Sequence, residues 1–352
     1  LLSVRVRGGN APDIAIIPQP GLLAAMVATG RMVKAPISVR NNVIKYWSKN
    51  WKALGTVNHS FYAAPMGSNM KSLVWYSPTQ FAKHGYTVPT TWTQMTTLAD
   101  KMAANGQIAF CGGLGSGGAT GWPATDWLEQ VVLRMYGPKV YSNWISHKIK
   151  FSNPKIVAAM KVVAGWMQNP KWVGDVQNIA TTTFQEAGQS IPSGNGCMML
   201  QQASFYGARF PAGTKVGPTG DVNAFYLPGI NSSVATPIVG GGQFLGAFSS
   251  RREVREVLTY LSSPEWALSR VSVAKGWVSA NNGVPLSAYK DPIDLLSATY
   301  LSDPNSTFVF DGSDSMPAAV GAGSMWREFT AWFGQGKSIA DVVKAIDASW
   351  PN

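Results

Sequence analysis

The sequence predicts an α/β protein with mainly parallel sheets, folded as two lobes that the chain crosses several times. Apolar strand-like runs alternate with amphipathic helical patterns along nearly the whole chain, which is the signature of that class. With 352 residues the chain is long enough to bury two cores. No Pro/Gly/Ser-rich or charged linker divides it, so two lobes would share crossings and not a single tether. Internal repeats and low-complexity segments are also missing.

The stretch VGGGQFLGAFSSRREVREVLTYLSSPEWALSRVSVAKGWVSANNG, residues 239–283, organises the rest. Three glycines lead into a short buried strand at 244–248. A helix follows from about 250, with Val254, Val257, Leu258 and Leu261 on one face. A second helix starts at Pro264 behind a serine cap. Trp277, Asn281 and Asn282 then stand on a loop, an arrangement suited to a neutral polar ligand.

In chain order, SVRV (3–6) reads as a strand. The abrupt opening suggests a true start upstream, since no basic-then-apolar signal segment precedes it. APDIAIIPQPG (11–21) is a strand breaking into a loop before a helix. Such a loop lies where open α/β sheets bind ligands, so Gln19 is a candidate contact, a plain turn being the alternative. FYAAPMGSNMKSLVWYSP (61–78) reads as two strands parted at Gly67 and Ser68, with Asn69 and Lys71 on one side. TWTQMTTLADKMAANG (91–106) is a helix with a threonine cap and a glycine stop. In IAFCGGLGSGGATGWPATDWLE (108–129) a strand enters a glycine-rich loop that lacks the ending and spacing of a phosphate loop. Trp122 and Asp126 stand at its junction with a helix, facing a cleft or serving as core tryptophan and cap. FSNPKIVAAMKVVAGWMQ (151–168) is a helix. GCMMLQQASF (196–205) puts Gln202, Ser204 and Phe205 at a strand end. FDGSDSMPAAVGAGSMWREF (310–329) places Asp314 before a loop and Trp326 on a helix. SIADVVKAIDASW (338–350) is the last helix.

Composition narrows function. The net charge is +11, but the basic residues are scattered, which argues against nucleic acid and leaves room for attraction to anionic lipid. No apolar run approaches the roughly 18 residues of a membrane span. The three histidines share no metal-ligand spacing with each other or with the cysteines, so neither a metal nor a cofactor is expected. Cys111 and Cys197 permit one disulfide or two free thiols. No histidine sits where a serine nucleophile needs a base. A glycoside hydrolase would need a carboxylate pair such as Asp126 and Asp314. The 14 tryptophans, several on glycine-rich loops, offer flat faces for pyranose rings, a composition common to sugar binders and sugar hydrolases.

APDIAIIPQPG, VWYSP, ATGWPATDWLE, TTTFQEA, GCMMLQQASF, GGGQFLGAF, RREVREVLTYLSSPEWA, KGWVSANNGV, SDSMPAAVGAGSMWREF and IDASWP occur in an order that spans residues 11–351. In that order they resemble the extracellular solute-binding proteins of carbohydrate ABC transporters, nearest the α-glucoside branch of the maltose-binding-protein-like superfamily. The resemblance implies a type II periplasmic-binding-protein fold, with a sugar held between hinged lobes. One lobe would comprise 1–70 and 242–300, its first strand missing here, and the other 71–241 and 301–352. It implies a Cys111–Cys197 disulfide and places ligand contacts at Gln19, Asn69, Lys71, Trp122, Asp126, Gln202, Ser204, Phe205, Gly241, Gln243, Trp277, Asn281, Asp314 and Trp326. Trp326 takes the position of a ring-stacking cleft tryptophan. The chain departs from the branch at Gln243, usually acidic, at QQASF, usually more basic, and at Trp277 and Ala280, usually Phe and Pro. The implied protein is a secreted or lipid-anchored monomer, not an enzyme, that captures an α-glucoside and delivers it to a membrane permease. A hydrolase using Asp126 and Asp314, or a binder of a polyol, amino sugar or anionic saccharide, is the alternative.

Overall fold

The computed structural model describes residues 2–351. The first lobe opens with α1 (Leu2–Arg7), β1 (Ile14–Ile17), α2 (Pro20–Ala28), α3 (Ile37–Tyr46), α4 (Lys49–Leu54), the short strands β2 (Thr56–Val57) and β3 (Ser60–Phe61), and β4 (Ala63–Met70). The chain then enters the second lobe through β5 (Leu73–Tyr76), α5 (Pro78–His84), α6 (Trp92–Ala104), β6 (Ile108–Phe110), α7 (Trp122–Ile145), α8 (Pro154–Met167), α9 (Pro170–Val173), α10 (Val176–Thr181), β7 (Cys197–Gln201) and β8 (Asn223–Tyr226). It returns through β9 (Pro237–Ala247), α11 (Arg252–Leu261), α12 (Pro264–Val273), α13 (Pro292–Ser302) and β10 (Thr307–Phe310). It crosses a last time to α14 (Gly312–Ser315), α15 (Trp326–Gly334) and α16 (Ile339–Ala348).

β9 is the spine of the first sheet. β4 pairs antiparallel along one edge, from Met70 opposite Gly240 to Ala63 opposite Gly246. On the other edge β10 pairs parallel with residues 237–240, and β1 antiparallel with residues 244–247. The second sheet has the order β6-β7-β5-β8, with only β6 and β7 parallel. The sheets are therefore mixed, against the expectation of mainly parallel pairing. β4 runs out of the first lobe and β9 runs back into it alongside, which makes that pair antiparallel, while β10 joins β9 in parallel.

Several local expectations are corrected. SVRV is helical, with Val6 buried against the first lobe's core; packing of one face overrides a β-branched preference. β4 runs straight through Gly67 and Ser68, absorbing an irregularity between Pro65 and Gly67, and breaks at Lys71 instead. β9 runs unbroken through residue 242, and α13 through residue 301. The strand expected at 244–248 begins earlier, at Pro237, and the three glycines lie within it, their lack of side chains letting β4 and neighbouring rings close in. On α11, Val254 and Leu258 are buried while Val257 is 46% exposed.

The first lobe's core packs Trp47, Trp51, Phe244, Leu245 and Phe310 with Val254 and Leu258. The second lobe has a large core around Trp127, Trp144, Trp166 and Phe329 on one side of its sheet, and Trp75, Tyr206 and Phe210 on the other. Cys111 and Cys197 form a disulfide that closes 86 residues of chain. Loop entropy assigns such a bridge about 4.6 kcal/mol. Cys111→Ser paired with Cys197→Ser is therefore expected to lower the urea midpoint of unfolding strongly. An unchanged midpoint would mean that the second lobe holds this loop by packing alone.

Candidate functional site

The crossing from β4 to β5 is only two residues, Lys71 and Ser72, and every neighbour grips it. The Lys71 carbonyl accepts from Gln130 Nε2 (3.0 Å) and Gln201 Nε2 (2.5 Å). Ser72 Oγ accepts from the Val239 amide (3.0 Å) and donates to Gln130 Oε1 (2.8 Å). The third crossing is fixed to the same place, because the Asp311 amide donates to the Gly240 carbonyl (2.7 Å).

At this junction Lys71, 6% exposed, donates to Asp126 Oδ1 at 2.7 Å and also to Asp311. Its ammonium lies 5.0 Å from the Trp122 ring centroid, a cation–π distance. Asp311 caps α14, accepting from the Asp314 amide (2.7 Å) and Ser313 Oγ (3.0 Å). One turn beyond Asp126 on α7, Glu129 accepts from the amides of Gly312 (2.8 Å) and Ser313 (2.9 Å) and from the Tyr141 hydroxyl (3.0 Å). Burial pushes Lys71 down, but Asp126 and Asp311 outweigh it and hold the ammonium charged. Burial pushes Asp311 up, and Lys71 with the cap donors outweighs that, leaving it below the usual range. Asp126 is pushed up to about 8, by burial first and then by Asp311, against Lys71. Glu129 and Asp314 are also raised, by burial and then by the Asp311 charge. The carboxylates of Asp126, Glu129 and Asp311 lie close enough to share a cation, and the cation they surround is the lysine.

Aromatic rings flank this charged floor. Trp122 packs edge-on to Phe184 at 5.1 Å and against Phe205 at 6.2 Å. Trp326, 8% exposed, donates from Nε1 to Ser313 Oγ (3.3 Å), yet its ring joins none of the hydrophobic clusters of the described residues. Trp277 lies on the backbone at Gly67 and meets Trp266 edge-on at 5.4 Å. The lobes touch on two sides. At Gly21, at the start of α2, a β-carbon would collide with the Met316 carbonyl of the other lobe. Gly276 has φ +69° and its missing β-carbon would stand 3.0 Å from Phe205. Both positions suit only glycine.

The structure thus brings together Lys71, Asp126, Asp314, Trp122 and Trp326, with Asn69 and Gly241 beside them; Asn69 Oδ1 accepts from the Gly241 amide (3.2 Å). Gln19 stands near enough to Asp314 to oppose the rise of its carboxyl, and Gln243 is exposed on the strand face it shares with Gly241. Phe205 and Trp277 meet this group through the Gly276 contact. Gln202 and Ser204 are buried with backbone partners: Gln202 Oε1 accepts from the Ala203 amide (2.8 Å) and Ser204 Oγ from the Met70 amide (3.3 Å). Asn281 stands apart, its Oδ1 accepting from the Gly283 amide (2.8 Å) beside a separate cavity of 160 Å³ with Tyr289 and Leu301. Its Asn-Asn-Gly setting is a turn-former, which explains the placement. Asp311 and Glu129 escaped the sequence reading. Glu129 was legible as a carboxylate three residues after Asp126 on one helix face, and Asp311 as an aspartate capping a short helix.

The family model described as bacterial extracellular solute-binding protein matches residues 2–268. The alpha-glucosides-binding periplasmic protein AglE of Rhizobium meliloti is 33% identical over 99% of this chain and 77% of its own length. The osmoprotective compounds-binding protein GgtB of Synechocystis sp. is 31% identical over 99% of this chain and 82% of its own. Among solved structures, the bacterial solute receptor AcbH superposes with a TM-score of 0.83 at 19% identity, covering 98% of this chain and 85% of that one. No helix of the described residues is long and apolar enough to cross a membrane.

Proposed function

The chain belongs to the bacterial extracellular solute-binding proteins, as a sugar-binding component of an ABC transporter and not an enzyme, and from that premise we propose that its ligand is an α-glucoside. The observation that carries this reading is Trp326, a large buried ring that joins no hydrophobic cluster of the described residues and donates to Ser313 Oγ beside the Asp311 cap. Trp326, Trp122 and Trp277 would stack on sugar rings, and Asp126, Asp314, Asn69, Gln19 and Gln243 would take hydroxyls. Phe205 and the Gly241 backbone would close the rim. Gln202, Ser204 and Asn281 would hold the walls in place. The relative named for alpha-glucosides supports the linkage.

Lys71 argues against an anionic saccharide. Its charge is already matched by the ionised Asp311 and its ammonium is also bonded to Asp126, so an incoming anion would find no free cation there. The relative named for osmoprotective compounds favours a second reading, a small neutral compatible solute in the same cleft. We place the lobes at 2–70 with 237–310 and at 71–236 with 311–351. In this reading the protein is a secreted or lipid-anchored monomer that presents its closed, loaded form to a permease.

A melting-temperature titration with maltose, trehalose, sucrose, maltodextrins and glucosylglycerol tests the assignment. A ligand present at 100 times its dissociation constant stabilises the fold by about 2.7 kcal/mol, a readable rise. A rise with a disaccharide selects the first reading, and a rise with glucosylglycerol alone selects the second. Silence from every α-linked solute would overturn both.

A further inference from the structure

Behind the Trp277 turn lies a carboxyl group that the cleft chemistry does not use. Asp294 stands in the first turn of α13 and is 2% exposed. Its Oδ2 accepts from the Gly276 amide at 2.9 Å, while Oδ1 is buried with no partner among the described residues. The turn it holds does two things. Gly276 abuts Phe205 of the opposite lobe, and Trp277 is laid over Gly67, with Val278 bridged to Ser68 (2.7 Å). α13 itself packs against residues 204–208 of the opposite lobe. Ile293 beside Asp294 joins the core with Trp75, Tyr206 and Phe210, so α13 stays on that side; an opening that parted the 276–277 turn from Phe205 would let water reach Asp294, and closure would dry it.

We propose that Asp294 is a positioning residue for ligand capture: it holds the 276–277 turn against the opposite lobe, and the closed state takes up a proton at this carboxyl. The proposal rests on the reading of the cleft as the saccharide site. Burial pushes the Asp294 carboxyl up to about 7, with Asp291 adding and the Gly276 and Trp277 amides opposing. The sign follows from linkage. A group whose pKa is higher in the closed form favours closure below that pKa and opposes it as pH rises through about 7. The charged and titratable groups around the turn are Asp291, which caps α13, the Tyr289 hydroxyl bonded to Ser279, and Arg270, 6.0 Å from the Trp277 ring. Lys215, Lys275 and Lys290 line the adjoining crevice.

The test uses maltose calorimetry from pH 5.5 to 8.5 on wild type, Asp294→Asn and Asp294→Ala, with amide exchange of residues 276–278 in the unliganded proteins. Asp294→Ala is expected to bind maltose about tenfold more weakly and to exchange those amides faster. Asp294→Asn keeps an acceptor for Gly276 without a titrating proton, so it retains affinity at pH 8.5. Between these pH values the wild type loses about tenfold more affinity than the Asn variant does. Asp126 and Asp314 titrate alike in both proteins, so the difference between profiles isolates Asp294. Parallel profiles would overturn the proton linkage, and unchanged exchange in Asp294→Ala would overturn the positioning role. If maltose binds none of the three proteins, the same profiles are taken with whichever of trehalose, sucrose, maltodextrin or glucosylglycerol raises the melting temperature; if none does, the saccharide reading fails, and the exchange result still decides the positioning role.

Discussion

Lys71→Met is expected to cost the fold about 3–5 kcal/mol, the penalty typical of removing one partner from a buried ion pair. Methionine fills much the same volume, so the loss is electrostatic. Asp126 and Asp311 would remain buried without their cation, and their nearest neighbours, Glu129 and Asp314, are carboxyls as well. The variant can relieve this only by binding protons. In wild type, Asp311 sits below the usual carboxylate range and contributes stability that is present above its unfolded pKa and lost as pH falls through the folded one. Without Lys71 the same group is raised by burial, the sign reverses, and stability declines as pH rises. Urea unfolding at pH 5 and pH 8 should therefore show the larger deficit at pH 8. Asp311→Asn added to Lys71→Met should recover part of it, as coupled neighbours do. A deficit below about 1 kcal/mol, equal at both pH values, would mean that water already reaches this junction.

Trp326→Ala should weaken capture of the responding sugar at least 100-fold, about 2.7 kcal/mol, in the range of an aromatic anchor at the centre of an interface. Because the ring lies outside the hydrophobic clusters, the unliganded melting point should fall less than for a core tryptophan such as Trp144. Trp326→Phe keeps a stacking face and should recover part of the affinity. Calorimetry at a temperature where all three are folded makes the comparison. An affinity within threefold of wild type would remove Trp326 from the ligand and return it to the structure.

The chain's helices were largely visible in its sequence, because their signals are local. Thr91 before α6, Ser263 before α12 and Ser338 before α16 each accept from the amide three residues on, as a capping serine or threonine should. Strand pairing was not visible, since register depends on partners far away. Nothing near residues 240–242 reveals that Asn69, Lys71 and Phe308 will crowd against them. The site divides the same way. Tryptophans on glycine-rich loops were conspicuous, while the junction that grips Lys71 draws on residues 71, 126, 129, 130 and 311, whose meeting only the crossings explain. Asn281 shows the converse, a residue read as a ligand contact whose Oδ1 is engaged by the Gly283 amide within a turn.

The pairing around β9 also sets an order of assembly for a chain emerging from the ribosome. The second lobe's sheet draws all its strands from residues 73–226, so its pairing is complete before β9 has been made. The first sheet waits far longer, because β1 and β4 have no partner in it until β9 arrives, and β10 closes the gap beside residues 237–240 only at the end. Until then β1, an edge ready to pair with another chain, stands open while residues 18–236 are added, and β4 while residues 71–236 are added. The sheet begun first is the last to be completed, although the other lobe's final helices follow it, and its early strands stand unpaired the longest.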